Sequence, residues 1–426
     1  MGPISHESGY MEGTGGSTAV DWEERISLSR LRTYRRDRAV KSLVDAGLDA
    51  VLLLLDPNIR YVASVATSSV SAAGGFHYTL LTADGEIVHW DSADHAMVQR
   101  RTCPWLDDVR FAAPGVGIVP TAMGGGPGAE FLLQAMADEI VSALRDKGIS
   151  SGRLGLDSPH PALIERLRSG GFEVSADGTR ALARARSIKS GDEVECLRMA
   201  AALCEAGFQA MRESIKPGMR DSEVWAEAVK RIIALGGEHA GGKLSSGPDT
   251  WPKSQSDLSD RVIRPGDVVY ADFYNIGYNG YRSCYYRTFS CGRAGTAAQD
   301  AYKRAVDNLY SVLEAIRPGV STDEVARRFP DSHGEYWDFY GITAGWQMTT
   351  NHWGHGLGLS LYEIPLIWRG ISLEHPMVLE EGMTMAVETQ DRDSSQGVRV
   401  EEMVVVRRAG VEVLSRWPVW EITEVI

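Results

Sequence analysis

Long apolar runs are missing from this sequence. The longest, Ala50 to Leu55, stops at Asp56, far short of the roughly 20 residues that cross a bilayer as a helix, so no membrane-spanning segment is expected. Basic residues are fewer than acidic ones, 44 against 57, and the formal net charge of −13 argues against a nucleic-acid partner, because phosphate binding needs a basic face. A small cationic or zwitterionic substrate stays compatible with that charge. Cysteine is scarce: positions 103, 196, 204, 284 and 291 make an odd number with no CxxC pair. That argues against a disulfide framework and fits a reducing cytoplasm. No secretory signal is visible, and Met1-Gly2-Pro3-Ile4-Ser5-His6 has histidine where a myristoylation signal needs Ser or Thr. The first α/β stretch also lacks a Gly-rich phosphate loop.

What is present suffices for two domains, since 426 residues can bury two cores. Residues 1–21, rich in Gly and Ser, are expected to be a mobile tail. Order begins near Ile26, where Leu28, Leu31, Tyr34, Ala39 and Leu43 recur at helical spacing until Gly47. Ala50 to Leu55 reads as a buried strand ended by Asp56-Pro57-Asn58. Tyr78–Thr82 and Glu86–Trp90 read as a hairpin turning at Ala83-Asp84-Gly85. A helix from Ala129 to Lys147, a strand Arg153–Asp157 and a helix from Pro161 complete an α/β domain over residues 22–183. The second domain is placed at residues 184–426. Its first helix is opened by the capping box Ser190-Gly191-Asp192-Glu193.

That second domain repeats itself. Ile215-Lys216-Pro217-Gly218 resembles Ile316-Arg317-Pro318-Gly319, and the agreement continues to Glu223-Val224 and Glu324-Val325, at an offset of 101 residues. Ile263-Arg264-Pro265-Gly266 is a third such tetrapeptide, outside the repeat. Duplication would place a cleft between two sheets, where ligand pockets are favoured.

The residues able to carry chemistry gather in this half. Val268-Val269-Tyr270-Ala271-Asp272 is a strand ending in a carboxylate, and residues 280–289 return beside it as a predicted neighbouring strand holding Cys284. His352 and His355 lie in Asn351-His352-Trp353-Gly354-His355-Gly356-Leu357-Gly358, with His355 between two glycines. Met383-Thr384-Met385-Ala386-Val387-Glu388 ends an apolar strand in a second carboxylate. Glu401 sits within another apolar strand, on the same side as Arg399 and Met403 by alternation. A carboxylate so placed is costly to bury unless it is paired or metal-bound. Glu402 faces the other way, as a solvent-exposed or structural residue. Trp251 and Tyr281 are either an aromatic wall for a cationic group or packing.

His355 in Gly-His-Gly-Leu-Gly, Glu388 after Glu-Gly-Met-Thr-Met-Ala-Val, Glu401 in Gly-Val-Arg-Val-Glu-Glu, and the entry sequence Arg186-Ser187-Ile188-Lys189-Ser190 together resemble the pita-bread family of creatinase, prolidase, aminopeptidase P and methionine aminopeptidase. The resemblance runs over residues 28–422. It implies an α/β and α+β architecture, with an N-terminal creatinase-like α/β domain, a C-terminal duplicated pita-bread domain, and usually a homodimer. Within the family, Ser29-Arg30-Leu31-Arg32-Thr33-Tyr34-Arg35 and Asp56-Pro57-Asn58-Ile59-Arg60-Tyr61 are similar to the N-terminal domain of the pita-bread dimethylsulfoniopropionate lyases. The resemblance further implies one or two divalent transition metal ions (Zn, Fe or Mn), held by Asp272, His355, Glu388 and Glu401.

The pattern also departs from the family. Its second, bridging aspartate falls on Cys284, read either as a thiolate ligand that favours softer ions over manganese or as an inert buried thiol. Two helper histidines of the peptidases fall on Lys253 and Tyr362, which can donate a hydrogen bond but cannot act as a neutral imidazole. Glu363 stands where it is either the acidic base of the lyase branch or a structural acid, and His352 is expected to line the cleft. His77, in the first domain, either reaches a neighbouring subunit's cleft or has a surface or core role. The expected function is a cytoplasmic metal-dependent hydrolase cleaving a C–N bond in a small amino-acid-like or amide substrate, with Glu388 moving the proton, and not a general peptidase. The alternatives are a lyase of the dimethylsulfoniopropionate-cleaving type and a catalytically lapsed binding module.

Overall fold

The computed structural model describes residues 25–66, 68–251, 259–329 and 352–426. They form two compact units, divided between Arg186 and Ser187. The expected tail at residues 1–21, Asn351 and Lys253 lie outside the described residues. No helix among the described residues is long and apolar enough to cross a membrane.

The N-terminal unit is a six-stranded mixed sheet in the order Asp108–Phe111, Ile87–Asp91, Tyr78–Thr82, Ala50–Leu53, Gly152–Leu156, Phe172–Ser175. Its core packs Leu52, Leu80, Val88 and Leu154 against Met136, Ile140 and Leu144 of the helix Pro127–Asp146. The helix Leu28–Asp45 ends before Gly47, whose φ of +63° supplies the left-handed stop. The strand expected over Ala50 to Leu55 ends at Leu53, and just beyond it stands Asp56-Pro57-Asn58. It begins the helix Asp56–Ala63, with proline in the first turn, where its missing N–H costs nothing.

Among its described residues the C-terminal unit holds two larger sheets and a two-stranded ribbon. One runs Thr423–Val425, Tyr286–Cys291, Val268–Asp272, Lys243–Ser246; the other runs Glu363–Trp368, His352–Gly356, Thr384–Arg392, Gly397–Arg407, Gly410–Val413. The sequence repeat returns as matched backbone bonding. The Gly218 amide donates to Ile263 O at 3.0 Å and the Gly319 amide to Leu379 O at 2.9 Å, while Ile263 and Leu379 donate back to Met219 and Val320 at 2.8 Å each. Both glycines need a positive φ, +94° and +89°. Ile263-Arg264-Pro265-Gly266 is therefore part of the duplication: it leads into Val268–Asp272 just as Leu379-Glu380-Glu381-Gly382 leads into Thr384–Arg392. This equivalence puts Asp272 and Glu388 at matching places in the two halves.

The predicted capping box is present. The Ser190 amide donates to Glu193 Oε2 at 2.7 Å and the Glu193 amide to Ser190 Oγ at 3.3 Å. Glu193 also takes the Tyr281 hydroxyl at 2.7 Å, which makes Tyr281 a buried packing residue and not a cleft wall. The helix Asp221–Ala234 opens on a buried aspartate. Burial pushes the Asp221 carboxyl from 3.8 up to about 6, against the opposing pull of the Ser246 hydroxyl and the Arg261 guanidinium. The folded chain thus holds this proton to higher pH than the unfolded chain, and ionisation costs stability as pH rises through that window. Asp221→Asn should be more stable than the parent at pH 7 and show no such gain at pH 4, as read by urea unfolding at both pH values.

Candidate metal centre

The middle strands of the second sheet present three of the expected residues. His355 lies on His352–Gly356, opposite Ala386; on the far side of that neighbour, Glu388 lies directly opposite Glu401. Opposed residues of an antiparallel pair share a face. The glycines around His355 have a steric cause: a Cβ on Gly356 would stand 2.5 Å from Ile364 O. His355 Nδ1 lies 3.2 Å from Gly356 O, a contact that makes Nδ1 the protonated nitrogen and puts the lone pair on Nε2.

The first sheet supplies Asp272, opposite Tyr286. The predicted strand over residues 280–289 is broken: Tyr281–Arg282 pairs with Gly277–Tyr278, and the regular strand resumes at Tyr286. Cys284 lies in the gap. There the Ser283 and Phe273 amides donate to Ile276 O and Tyr285 O, and the irregular backbone turns the thiol toward the other sheet. One ligand-type atom from each of Cys284, His355 and Glu401 lies within 4.8 Å of the others, and all three residues are buried. Burial, and then the charges of Glu401, Asp272 and Glu388, raise the Cys284 thiol well above its ordinary value.

The two sheets are held together beside this centre. Thr288 Oγ1 donates to Arg399 O at 2.7 Å and accepts from its amide at 3.0 Å. Arg287 reaches Glu402 Oε2 at 2.9 Å, so Glu402 is buried and structural and not solvent-exposed. Three carboxylates, two of them buried, gathered with a buried thiol repel one another unless a cation lies among them. With the imidazole, this donor set fits a divalent transition ion. A cation there would also reverse the local field and favour the thiolate.

Tyr362 packs its ring on His355, with centroids 4.3 Å apart, while remaining 48% exposed. Burial and the charges of Cys284, Glu388, Glu401 and Asp272 push its phenol up, keeping it a neutral donor. Glu363 is directed elsewhere. Its carboxylate accepts from Lys189 Nζ at 2.8 Å and from the Ser360 amide at 3.1 Å. His352 begins the His355 strand, opposite Trp368. His77 is buried in the first unit, against Asp91 and Asp56. The sequence reading missed Lys189 as Glu363's partner; its only local signal was a lysine in the entry sequence, just before an acid-rich helix start.

Residues 195–408 match the model of metallopeptidase family M24, and residues 35–188 match the creatinase/prolidase N-terminal domain. Dimethylsulfoniopropionate lyase DddP of Roseovarius nubinhibens is 27% identical over 405 residues, covering 92% of this chain and 87% of that protein. Probable dipeptidase PepE of Mycobacterium tuberculosis is 28% identical over 320 residues, 75% of each chain. Among solved structures, an Xaa-Pro dipeptidase from Bacillus anthracis superposes with a TM-score of 0.69 at 21% identity, covering 92% of this chain and 99% of that one. With the duplicated two-sheet unit, its buried donor set and both halves of the sequence in agreement, the chain belongs to metallopeptidase family M24.

Proposed function

We propose that this protein is a metal-dependent hydrolase that cleaves a C–N bond in a small amino-acid-like or amide substrate. The observation that carries the reading is the buried meeting of Cys284, His355 and Glu401, with the charges of Asp272 and Glu388 acting on the same thiol. These residues would hold a divalent ion, which would supply Lewis acidity toward a water and the group to be cleaved. The chain's own residues do the rest. Glu388 is only partly buried, so it can take a proton from water and hand it to the departing nitrogen. Tyr362 donates a hydrogen bond to the oxygen that gains charge in the transition state. Lys253 is assigned to the same task or to the substrate carboxylate. His352 is assigned to the wall of the cleft. Glu363 we assign to structure, because its carboxylate is committed to Lys189 and the Ser360 amide. Cys284 tilts the centre toward zinc or iron rather than manganese. A cytoplasmic homodimer is the setting we propose for it.

A second reading is favoured by the likeness to DddP, which extends over 92% of the chain. In that reading the same base removes a proton next to a carboxylate and expels a leaving group, and Tyr362 steadies the carboxylate. The two are separated by running the reaction in oxygen-18 water. Hydrolysis puts one solvent oxygen into the acyl product. An unsaturated product with no solvent oxygen would overturn the hydrolase assignment in favour of elimination.

A further inference from the structure

The N-terminal unit carries a cluster that the chemistry above does not use. Strands Tyr78–Thr82 and Ile87–Asp91 pair with Tyr78 opposite Trp90 and Thr79 opposite His89, and the same register sets His77 opposite Asp91. Side chains alternate along a strand, so His77, Thr79, His89 and Asp91 share one face. The other face, Tyr78, Leu80, Val88 and Trp90, fills the apolar core. A run of polar groups is thus sealed on the reverse of the sheet, where His89 and Asp91 are 0% exposed and His77 3%.

These groups are arranged around one point. His77 Nδ1 stands 3.2 Å and His89 Nε2 3.9 Å from the same oxygen, Asp91 Oδ2, and one donor atom from each of the three residues lies within 4.8 Å of the others. Donors of a tetrahedral site with bonds of about 2.0–2.1 Å stand about 3.4 Å apart. The outer ring nitrogens are backed by oxygen. His89 Nδ1 lies 2.8 Å from Thr79 Oγ1, and His77 Nε2 faces Asp56 Oδ1 at 3.6 Å. Oxygens placed behind imidazoles in this way orient metal-binding histidines.

Two buried atoms here have no hydrogen-bond partner: His89 Nε2, which is aimed at Asp91, and Gln99 Oε1. A buried polar atom left without a partner is costly. Asp91 Oδ1 is taken up by the Ser71 hydroxyl and the Ser92 amide, with His95 Nδ1 3.3 Å away, while Oδ2 accepts from Gln99 Nε2 at 2.9 Å and faces the two imidazoles.

We propose that His77, His89 and Asp91 form a second metal site, distinct from the M24 centre, for a zinc-like divalent transition ion. Gln99 Oε1 or a water would complete four-fold coordination. Bound there, the ion would tie the hairpin to the helix Ala93–Thr102, which carries Gln99.

The test is zinc per chain, measured by mass spectrometry on full-length protein whose M24 centre is removed by His355→Ala with Glu401→Gln. About one equivalent should remain, and adding His89→Gln should abolish it. Thr79→Val spares every ligand and should weaken zinc binding about ten- to a hundredfold. Cobalt in this background should show d–d bands without a thiolate charge-transfer band, because the site holds no sulfur. A folded background protein that binds no zinc overturns the proposal, as does zinc content unmoved by His89→Gln. Should the background variant fail to fold, wild type and Thr79→Val are compared by zinc titration. Identical isotherms overturn the proposal; a loss of affinity confined to one equivalent supports it.

Discussion

Glu401→Gln should cost the M24 centre its metal. The substitution keeps the shape and removes the charge of a fully buried carboxylate that lies opposite Glu388 and among Cys284 and His355. Loss of an outer-shell partner already weakens metal binding about ten- to a hundredfold; loss of a direct ligand should exceed a hundredfold, and the catalytic rate should fall with it. The stability readout has a sign that separates this outcome from simple damage. In chelator the variant should be at least as stable as the parent, because one of three crowded negative charges is gone. With zinc at a hundred times its dissociation constant, a site that binds only the folded chain adds about 2.7 kcal/mol, and the variant should lack that increment. Equal metal-dependent gains in parent and variant would remove Glu401 from the ligand set.

Lys189→Met should be strongly destabilising while leaving the metal ligands intact. Lys189 Nζ and Glu363 Oε2 are 2.8 Å apart, with side chains only 1% and 2% exposed. Removing the ammonium strands a carboxylate in the interior, at a cost of about 3–5 kcal/mol. Replacing both partners, as Lys189→Met with Glu363→Leu, should recover most of the loss, since a buried pair exchanged for apolar groups is often close to neutral. Urea unfolding of the two single variants and the double gives the coupling directly. If Glu363 were instead the catalytic base, Glu363→Gln would abolish turnover even in the fraction that stays folded, whereas a structural Glu363 predicts that the folded fraction keeps its turnover.

Much of this protein was legible in the chain because the rules involved act over short distances. The capping box at Ser190 needs only the three residues that follow it. The hairpin at Gly85 needs alternation and a turn residue. The strand that ends in Asp272 announces itself by an unbroken apolar run. Even the duplication shows in the sequence, because the same helix-end and cap chemistry was retained twice. Its extent did not show: Gly266 and Gly382 share a backbone role, but Arg264-Pro265 and Glu380-Glu381 share no side chain.

By itself, then, the sequence determined the fold family, the order of the elements and the kinds of donor atom available to a metal. Tertiary structure decided which of them meet. Cys284 joins His355 and Glu401 only because the strand breaks around it and two sheets close face to face. Glu363 is bonded to a lysine 174 residues away. His77, His89 and Asp91 become a cluster through a register that no single segment specifies. Propensity and patterning are settled within a turn or a strand, whereas a buried constellation of charges is settled by which faces are pressed together, and that depends on the packing of the whole unit.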